Sequence, residues 1–464
     1  MDLRRVWSVL AALTFLTAED AVVARADDVP RYKLVRHDED YAYLVDSSRR
    51  SDWSDPIKHI RLGHNERWFL TLGGEISERF EFFDNWNWNP AAAPDGYWLQ
   101  RYMFLADFHL GSRVRVFSQL KSGIENGRNR GPRPTDEDHL DVHEAFVDLS
   151  LGSGRGSALR LGRQELAYGS SRLVSVRAGP NVRQSFDGAR VIVHPGAWRL
   201  DVFAAKPVIT DPGIFDDKAD HARTFWGVYA VGPLKLFDRA SIDLYYLGLD
   251  RKLARFDQGT APELRESIGT RIWRRAAPWD YNFELVYQWG QFGAAPIRAW
   301  TVASDTGFRA RGLPSTPRFG LKADITSGDR NPAEPTLQSF NPLFPRGAYF
   351  SEMQLTGPVN HRDLHPSVDL HPLRTMTVTP SWLFLWRQSL SDGLYGVPGN
   401  LIRSGKGTTA RYVGSQVAVM VSATIGRHTT LSADYEYFIA GPFLRESGPA
   451  HDVTFFATWV GFVF

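Results

Sequence analysis

From Trp68 to the end of the chain, apolar and polar residues alternate with a period of two. An extended strand with one apolar and one polar face produces this pattern, because successive side chains point to opposite sides. The same alternation recurs over 98–110, 281–289 and 413–423, separated by clusters of Gly, Pro, Asn and Asp. Many of these strands are about 10 residues long, which is enough to cross a tilted hydrocarbon layer. The apolar side of the first predicted strand is Leu70, Leu72, Ile76, Phe80 and Phe82.

The ends of the apolar faces distinguish a membrane barrel from a soluble sandwich. They often carry Trp, Tyr or Phe, and aromatic rings at both interfaces are typical of transmembrane barrels with a polar interior. Counting the alternating runs gives 16 to 18 strands, and we favour 18. The sequence thus predicts an all-β protein, a transmembrane antiparallel β-barrel with a charged lumen, over residues 68–464. The aromatic ends are Trp68, Phe82, Trp98, Trp198, Tyr281, Trp289, Trp382, Trp386, Tyr435 and Tyr437.

Both ends of the chain indicate export to the bacterial outer membrane. Arg4 and Arg5 precede a short apolar run, and a polar stretch then ends in Ala24-Arg25-Ala26. This order predicts a signal peptide over residues 1–26. The final strand ends in Phe464, like the aromatic strand by which the barrel-assembly machinery recognises its substrates. The polar segment 27–67 is open to three interpretations: a periplasmic extension, a lumen plug or an extra strand.

Composition narrows the function classes. The 464 residues carry 54 Lys and Arg against 52 Asp and Glu, a net charge of +2, with no cysteine. The balanced charge argues against a nucleic-acid partner. The lack of cysteine removes disulfides, zinc–thiolate sites and thiol nucleophiles. The 13% aromatic content fits two interfacial belts in one barrel in contact with outer-membrane lipid.

The polar strand faces carry the more useful functional signal. Rings of Arg and Lys select anions, whereas opposed charges only create a field across a pore. Acidic residues such as Glu75, Asp107 and Glu284 share the same parity, so both arrangements stay open. The basic residues that parity places in the lumen include Arg79, Arg101, Arg115, Lys121, Arg160, Arg318, Lys322 and Arg387.

Histidines are the candidate metal ligands and catalytic groups. His361, His365 and His371 share one strand face with Asp363 and Asp369. Side chains along one strand diverge, so we expect a polar wall in preference to a metal site. No Gly-x-Ser-x-Gly elbow is present, and we expect neither an enzyme nor a cofactor.

Several motifs resemble the alginate export family of outer-membrane proteins. They are LDVHEAFV at 140–147, LRLGRQELAYGSSRL at 159–173, SFDGAR at 185–190, SFNPLFPRGAYF at 339–350 and the closing Phe464. The resemblance implies a monomeric 18-stranded barrel that passes a polyuronate, with Arg163 and Arg346 among its pore cations. Parity places Arg163 with lipid-facing Leu159 and Leu161, so a bulge at Gly162 would be needed to turn it inward.

The sequence therefore predicts a channel for passive export of an anionic, alginate-like exopolysaccharide through an Arg- and Lys-lined pore. A periplasmic export complex is an expected partner. One alternative is a general or substrate-specific porin for small anionic or sugar solutes. Another is an outer-membrane barrel hydrolase acting on lipid or polysaccharide.

Overall fold

A computed structural model of the chain describes residues 31–65, 67–152, 156–237 and 239–464. By internal packing, Leu34–Phe464 form one compact unit. The predicted signal peptide, 1–26, lies outside the described residues. No helix among the described residues is long and apolar enough to cross a membrane.

Within the described residues, eighteen long strands form one closed antiparallel sheet, so the predicted barrel and its favoured strand count are confirmed. Each strand pairs with the next along the chain, and the last pairs back onto the first, from Glu75 opposite Val463 to Asp84 opposite Thr454. The strands are β1 (Trp68–Asp84), β2 (Asp95–Leu110), β3 (Val114–Asn126), β4 (Asp138–Ser150), β5 (Ala158–Gln164), β6 (Phe186–Val193), β7 (Arg199–Ile209), β8 (Arg223–Leu234), β9 (Ala240–Phe256), β10 (Gly259–Arg274), β11 (Trp279–Phe292), β12 (Ala295–Arg309), β13 (Arg318–Thr326), β14 (His361–Leu373), β15 (Met376–Arg387), β16 (Tyr412–Ile425), β17 (Thr429–Ala440) and β18 (Val453–Val463).

Burial alternates along the strands as the parity predicts. On β11, Phe283, Leu285 and Tyr287 are exposed, whereas Glu284 and Gln288 are buried. The exposed side is apolar and faces lipid, since a barrel wall has only two sides. Exposed aromatic residues include Trp68, Trp98, Trp279, Trp382 and Tyr435.

Every connection longer than eight residues lies at the same end of the barrel. Barrel proteins of the outer membrane place short turns in the periplasm and long loops outside. Two long loops fold inward: loop A, residues 165–185, and loop B, residues 327–360. They pair with each other where the N–H of Phe344 donates to the carbonyl of Leu173 at 2.8 Å, and that of Arg346 to Ser171 at 3.0 Å.

The lumen contains an apolar core that the sequence analysis did not predict. The ring of Phe344 in loop B packs edge-on against Phe186 and Phe225 of the wall, with centroids 5.0 and 4.9 Å apart. Leu166, Tyr168 and other buried residues join the same cluster. Burying these side chains stabilises the inward position of the loops.

The segment Leu34–His59 contacts inward-facing groups of the wall. Arg36 donates to the backbone carbonyls of Gly74 (3.0 Å) and Phe464 (2.9 Å). The one-turn helix Asp55–Lys58 packs on β1. Short 3-10 turns occur at Arg36–Asp38, Ala42–Val45 and Ser47–Arg49, and the pair Ile60–Arg61 hydrogen-bonds to β1. These contacts favour the plug over the other two interpretations, and we propose that role for the segment.

The remaining short elements lie at the barrel margins. They are the two-residue strand Lys218–Ala219 beside β7, the hairpin Leu394–Tyr395 with Leu401–Arg403, the 3-10 turn Trp86–Trp88 and the helix Pro442–Ser447.

Candidate functional site in the barrel lumen

A cavity lies between the inward loops and the barrel wall. Its volume is about 400 Å³, and Leu34 of the N-terminal segment reaches it. Loop A contributes Ser170 and Ser171, and loop B contributes Arg346 and Glu352. The wall residues are Thr379, Ser381, Ala418, Met420, Asp434 and Glu436.

Six of the predicted lumen cations are neutralised by neighbouring carboxylates. A cation that already contacts a carboxylate projects a weaker field into the lumen. Their closest ion pairs are Arg79 with Glu81 (2.6 Å), Arg101 with Glu75 (2.7 Å), Arg115 with Asp107 (2.8 Å), Lys121 with Asp138 and Asp217 (2.7 Å each), Arg160 with Asp148 (2.7 Å), and Arg318 with Asp280 (2.5 Å).

Arg387 and Arg163 occupy positions that the sequence analysis did not expect. Arg387 is fully buried, and its guanidinium donates to the backbone carbonyls of Leu390 (3.0 Å), Asp392 (3.1 Å) and Ala410 (3.2 Å). It therefore secures a loop instead of lining the cavity.

Arg163 is paired with Asp187 at 2.8 Å, and its neighbour across β4 is the exposed Ala145. The ladder runs in register through Gly162, so the bulge proposed to turn Arg163 inward is not present there. Gly162 instead has a φ of +131°, and a Cβ at this position would lie 2.2 Å from the carbonyl oxygen of Ala145. The bulge occurs on β4, where the register shifts between Gln119 opposite Glu144 and Leu120 opposite Val142.

Three remaining basic side chains form what we call the free cationic group: Lys322, His365 and Arg346. Lys322 and His365 are cross-strand partners on β13 and β14. The charges of Lys322 and Arg346 are close enough to repel each other, and both act on His365. Arg346 is exposed and lines the cavity. In the described part of the chain, none of the three has a carboxylate oxygen within 4 Å, although Asp305 and Asp324 also act electrostatically on Lys322.

Arg172 anchors loop A to the wall and was not singled out by the sequence analysis. Its guanidinium contacts Asp324 of β13 and lies 3.4 Å from Glu284 of β11. The hydroxyl of Tyr349 in loop B donates to the same Asp324 at 3.0 Å. Burial alone would lower the pKa of Arg172, but the oxygens of Tyr349, Asp324 and Glu284 raise it above the ordinary value. One carboxylate thus holds both inward loops.

A second buried network joins the N-terminal segment, loop A and the wall. His37 lies 2.6 Å from Glu144, and His143 lies 2.8 Å from Glu165 at the start of loop A. Arg183, near the end of loop A, pairs with Glu165 at 2.7 Å and donates to the carbonyl of Leu34 at 2.7 Å. The β4 bulge makes this network because it turns both His143 and Glu144 inward.

The histidines of β14 separate into different environments. His361 is buried beside Asp363 and Asp324, and His365 belongs to the free cationic group. His371 lies near the other end of the strand, where its N–H donates to the carbonyl of Ser315. The structure therefore does not bring the three together.

The anchoring residues lie in the motifs that resemble the alginate export family. His143 and Glu144 fall in LDVHEAFV, and Glu165 and Arg172 fall in LRLGRQELAYGSSRL. The number of ionisable side chains in each motif is a sequence signal that could have identified these anchoring residues. Their partners lie on distant strands, and that arrangement depends on how the loops fold.

The fold and lumen define a class: this is an outer-membrane β-barrel channel. A sequence model of the alginate export family matches residues 69–457, and the chain belongs to that family. No curated protein matches.

Solved structures with a similar fold share little sequence identity with this chain. OpdO of Pseudomonas aeruginosa is 9% identical with a TM-score of 0.59, over 85% of this chain and 97% of that one. The outer-membrane protein OpdK of the same organism is 12% identical, with a TM-score of 0.58 over 85% and 98%. OccAB4 of Acinetobacter baumannii is 8% identical, with a TM-score of 0.58 over 85% and 98%. The likeness confirms the fold, and with the family it places the chain in the bacterial outer membrane.

Proposed function

We propose that the channel passively exports an anionic exopolysaccharide of the polyuronate type, whose carboxylates contact the free cationic group. The observation that carries this proposal is the contrast within the lumen. Six predicted cations are paired with carboxylates, whereas Lys322, His365 and Arg346 have no carboxylate oxygen within 4 Å among the described residues. The free charges are the ones available to replace a counterion on the polymer.

The chemistry of a polyuronate suits a weak site of this kind. The polymer carries one carboxylate per sugar, so it can step past a fixed cation without a deep binding well. Conduction requires contacts that release as readily as they form. Arg346 lies on a loop and Lys322 on the wall, so the polymer would contact both sides of the passage.

A porin for small anionic solutes is the second candidate, and two observations favour it. The cavity of about 400 Å³ is within the size range of small-molecule sites. Asp434, Glu436 and Glu352 also line it, and mixed charges of this kind produce a field across a general pore. One of the similar structures, OpdK, was solved with vanillate.

Block of single channels by uronates of increasing length distinguishes the two functions. The purified barrel is placed in a planar bilayer, and mono-, di-, tetra- and octauronates are added to one side. Polymer export predicts block that tightens with chain length, because longer chains meet several cations in turn. Equal block by monomer and octamer would favour the small-solute porin.

The free cationic group is tested with a matched pair of variants. Arg346→Glu should weaken block by the octamer by about two- to fivefold, because one exposed charge contact is lost. Arg330→Glu makes the same charge change in loop B, at an exposed residue outside the cavity lining, and should leave block unchanged. Equal effects of the two variants would contradict the assignment of Arg346.

A further inference from the structure

Asp324, His361 and Asp363 form a compact group on two neighbouring strands. Asp324 lies on β13, and His361 and Asp363 lie two residues apart on β14. One ligand atom from each lies within 4.8 Å of the other two. The side chains are 4%, 1% and 7% exposed, so bulk water reaches them poorly.

Among the described residues, His361 and Asp363 have buried polar atoms without hydrogen-bonding partners. Burying such atoms unpaired costs free energy. Neither ring nitrogen of His361 and not the Oδ1 of Asp363 has a hydrogen-bonding partner in the described part of the chain. The His361 Nε2 and Asp363 Oδ1 atoms are 3.1 Å apart, outside hydrogen-bond geometry. Asp324, by contrast, accepts from the hydroxyl of Tyr349 and from the N–H of Ser304. Buried polar groups are rarely left unsatisfied, and an ion is one of the partners that resolves such a case.

The charge of the surroundings also favours a cation. Three carboxylates, Glu284, Asp324 and Asp363, lie close to the guanidinium of Arg172, and the ammonium of Lys322 also acts on Asp324, so negative charge still exceeds positive charge here. Glu284 is further supported by the hydroxyls of Tyr245 (2.7 Å) and Ser170 (2.9 Å). The Oδ1 of Asp363 receives no such hydrogen bond among the described residues. A divalent ion would balance the remaining negative charge where the local dielectric is low.

We propose that Asp324, His361 and Asp363 bind a divalent first-row transition-metal ion of the Zn²⁺ type. One imidazole nitrogen and two carboxylate oxygens are a ligand set that such ions accept, with a fourth position left for water. The ion would fix the carboxylate of Asp324, which holds Arg172 of loop A and Tyr349 of loop B. Metal binding would thereby stabilise the inward position of both loops.

The neighbouring histidines are not part of this site. His365 lies opposite Lys322, whose positive charge disfavours a second cation nearby. Divergence along β14 separates His365 and His371 from the site, whereas His361 and Asp363 approach each other to 3.1 Å. The site becomes complete through Asp324, which the adjacent strand supplies.

Metal titration of the full chain, refolded in detergent and stripped with a chelator, tests the proposal. Zn²⁺ binding is followed by calorimetry, and Co²⁺ binding by its absorption in the visible range. The expected result is one saturable equivalent per chain. His361→Ala and Asp363→Asn should each weaken binding by more than about tenfold, the smallest loss usual even for groups that only support a ligand. His371→Ala removes a histidine of the same strand from outside the site and should leave binding unchanged.

Folding of each variant is checked by the mobility of the unheated barrel in electrophoresis. Asp363→Asn preserves the shape of the side chain, so it remains informative if His361→Ala does not fold. No saturable binding to the wild-type chain, or binding that persists at full strength in the folded variants, would overturn the proposal.

Discussion

Lys322 and His365 face each other across β13 and β14, and in the described part of the chain neither has a carboxylate oxygen within 4 Å. A partly buried lysine ammonium loses hydration, and here no carboxylate contact among the described residues offsets that loss. The stability of the fold alone therefore does not explain an unpaired lysine beside a histidine. An anion that passes between Lys322, His365 and Arg346 would explain why these residues are placed together.

Lys322→Glu should lower the preference of the channel for anions. The substitution reverses the charge of the wall side of the passage, and Lys322→Ala should have a smaller effect in the same direction. The measurement is the chloride-to-potassium permeability ratio in a planar bilayer. Arg330→Glu is again the control, and an unchanged ratio in Lys322→Glu would remove this residue from the passage.

Arg387 and Arg346 should separate stability from selectivity. Arg387→Met removes the donor to the carbonyls of Leu390, Asp392 and Ala410, and the buried carbonyl of Asp392 alone costs about 1–3 kcal/mol where no water replaces the guanidinium. We expect a lower unfolding midpoint and unchanged ion selectivity. Arg346→Met should show the opposite pattern, because its side chain is exposed in the lumen. Unfolding in urea and reversal potentials on the same preparations provide the comparison.

Arg172→Ala should release the inward loops. Removing one partner of a buried ion pair costs about 3–5 kcal/mol because charge is left uncompensated. The carboxylates of Glu284 and Asp324 would then repel each other beneath loop A. We expect faster proteolysis within loops A and B and noisier single-channel currents. Arg177→Ala is the matched control, since this loop A residue has no carboxylate oxygen within 4 Å in the described residues; comparable effects would argue against the anchor.

The N-terminal segment should respond to acid. Burial, together with the charges of nearby Arg160, Arg190, Arg115 and Arg199, holds the pKa of His37 well below 6.5. A released His37 would titrate at its ordinary pKa, so below about pH 6.5 the released state binds more protons than the packed state. The stabilisation of the packed segment is present above that pH and is lost as pH falls. Acidification should therefore favour release.

Conductance between pH 7.5 and 5 measures this effect. If the segment obstructs the lumen, wild-type conductance should rise on acidification, and His37→Gln should remove most of the rise. His64→Gln changes an exposed histidine outside the segment and should behave like the wild type. A rise of the same size in His37→Gln would exclude His37 as the titrating group.

The sequence predicted the wall of the barrel better than its interior. Residues such as Phe283 and Glu284 could be assigned to opposite sides because each strand position has only two orientations. The same logic could not reveal that Arg101 pairs with Glu75, because that depends on which strand lies beside which. Phe344 could not be placed in the lumen at all, since its packing against Phe186 and Phe225 comes from a loop without periodicity.

Arg163 and Arg346 illustrate the same limit at the candidate site. The resemblance to the family implied that both residues are pore cations. Asp187 on the next strand neutralises Arg163, whereas Arg346 remains without an ion pair among the described residues. A one-residue bulge on β4, not visible in the alternation, brings His143 and Glu144 to the same side of the wall.

The most direct test of the central claim is the reversal potential of the wild-type channel in a gradient of potassium chloride, compared with that of the Lys322→Glu, Arg346→Glu double variant. If the free cationic group selects the solute, the wild type reverses toward the chloride potential, and the double variant shifts toward the potassium potential. A wild-type channel that prefers cations, or a double variant with an unchanged reversal potential, would contradict an anion passage lined by these residues.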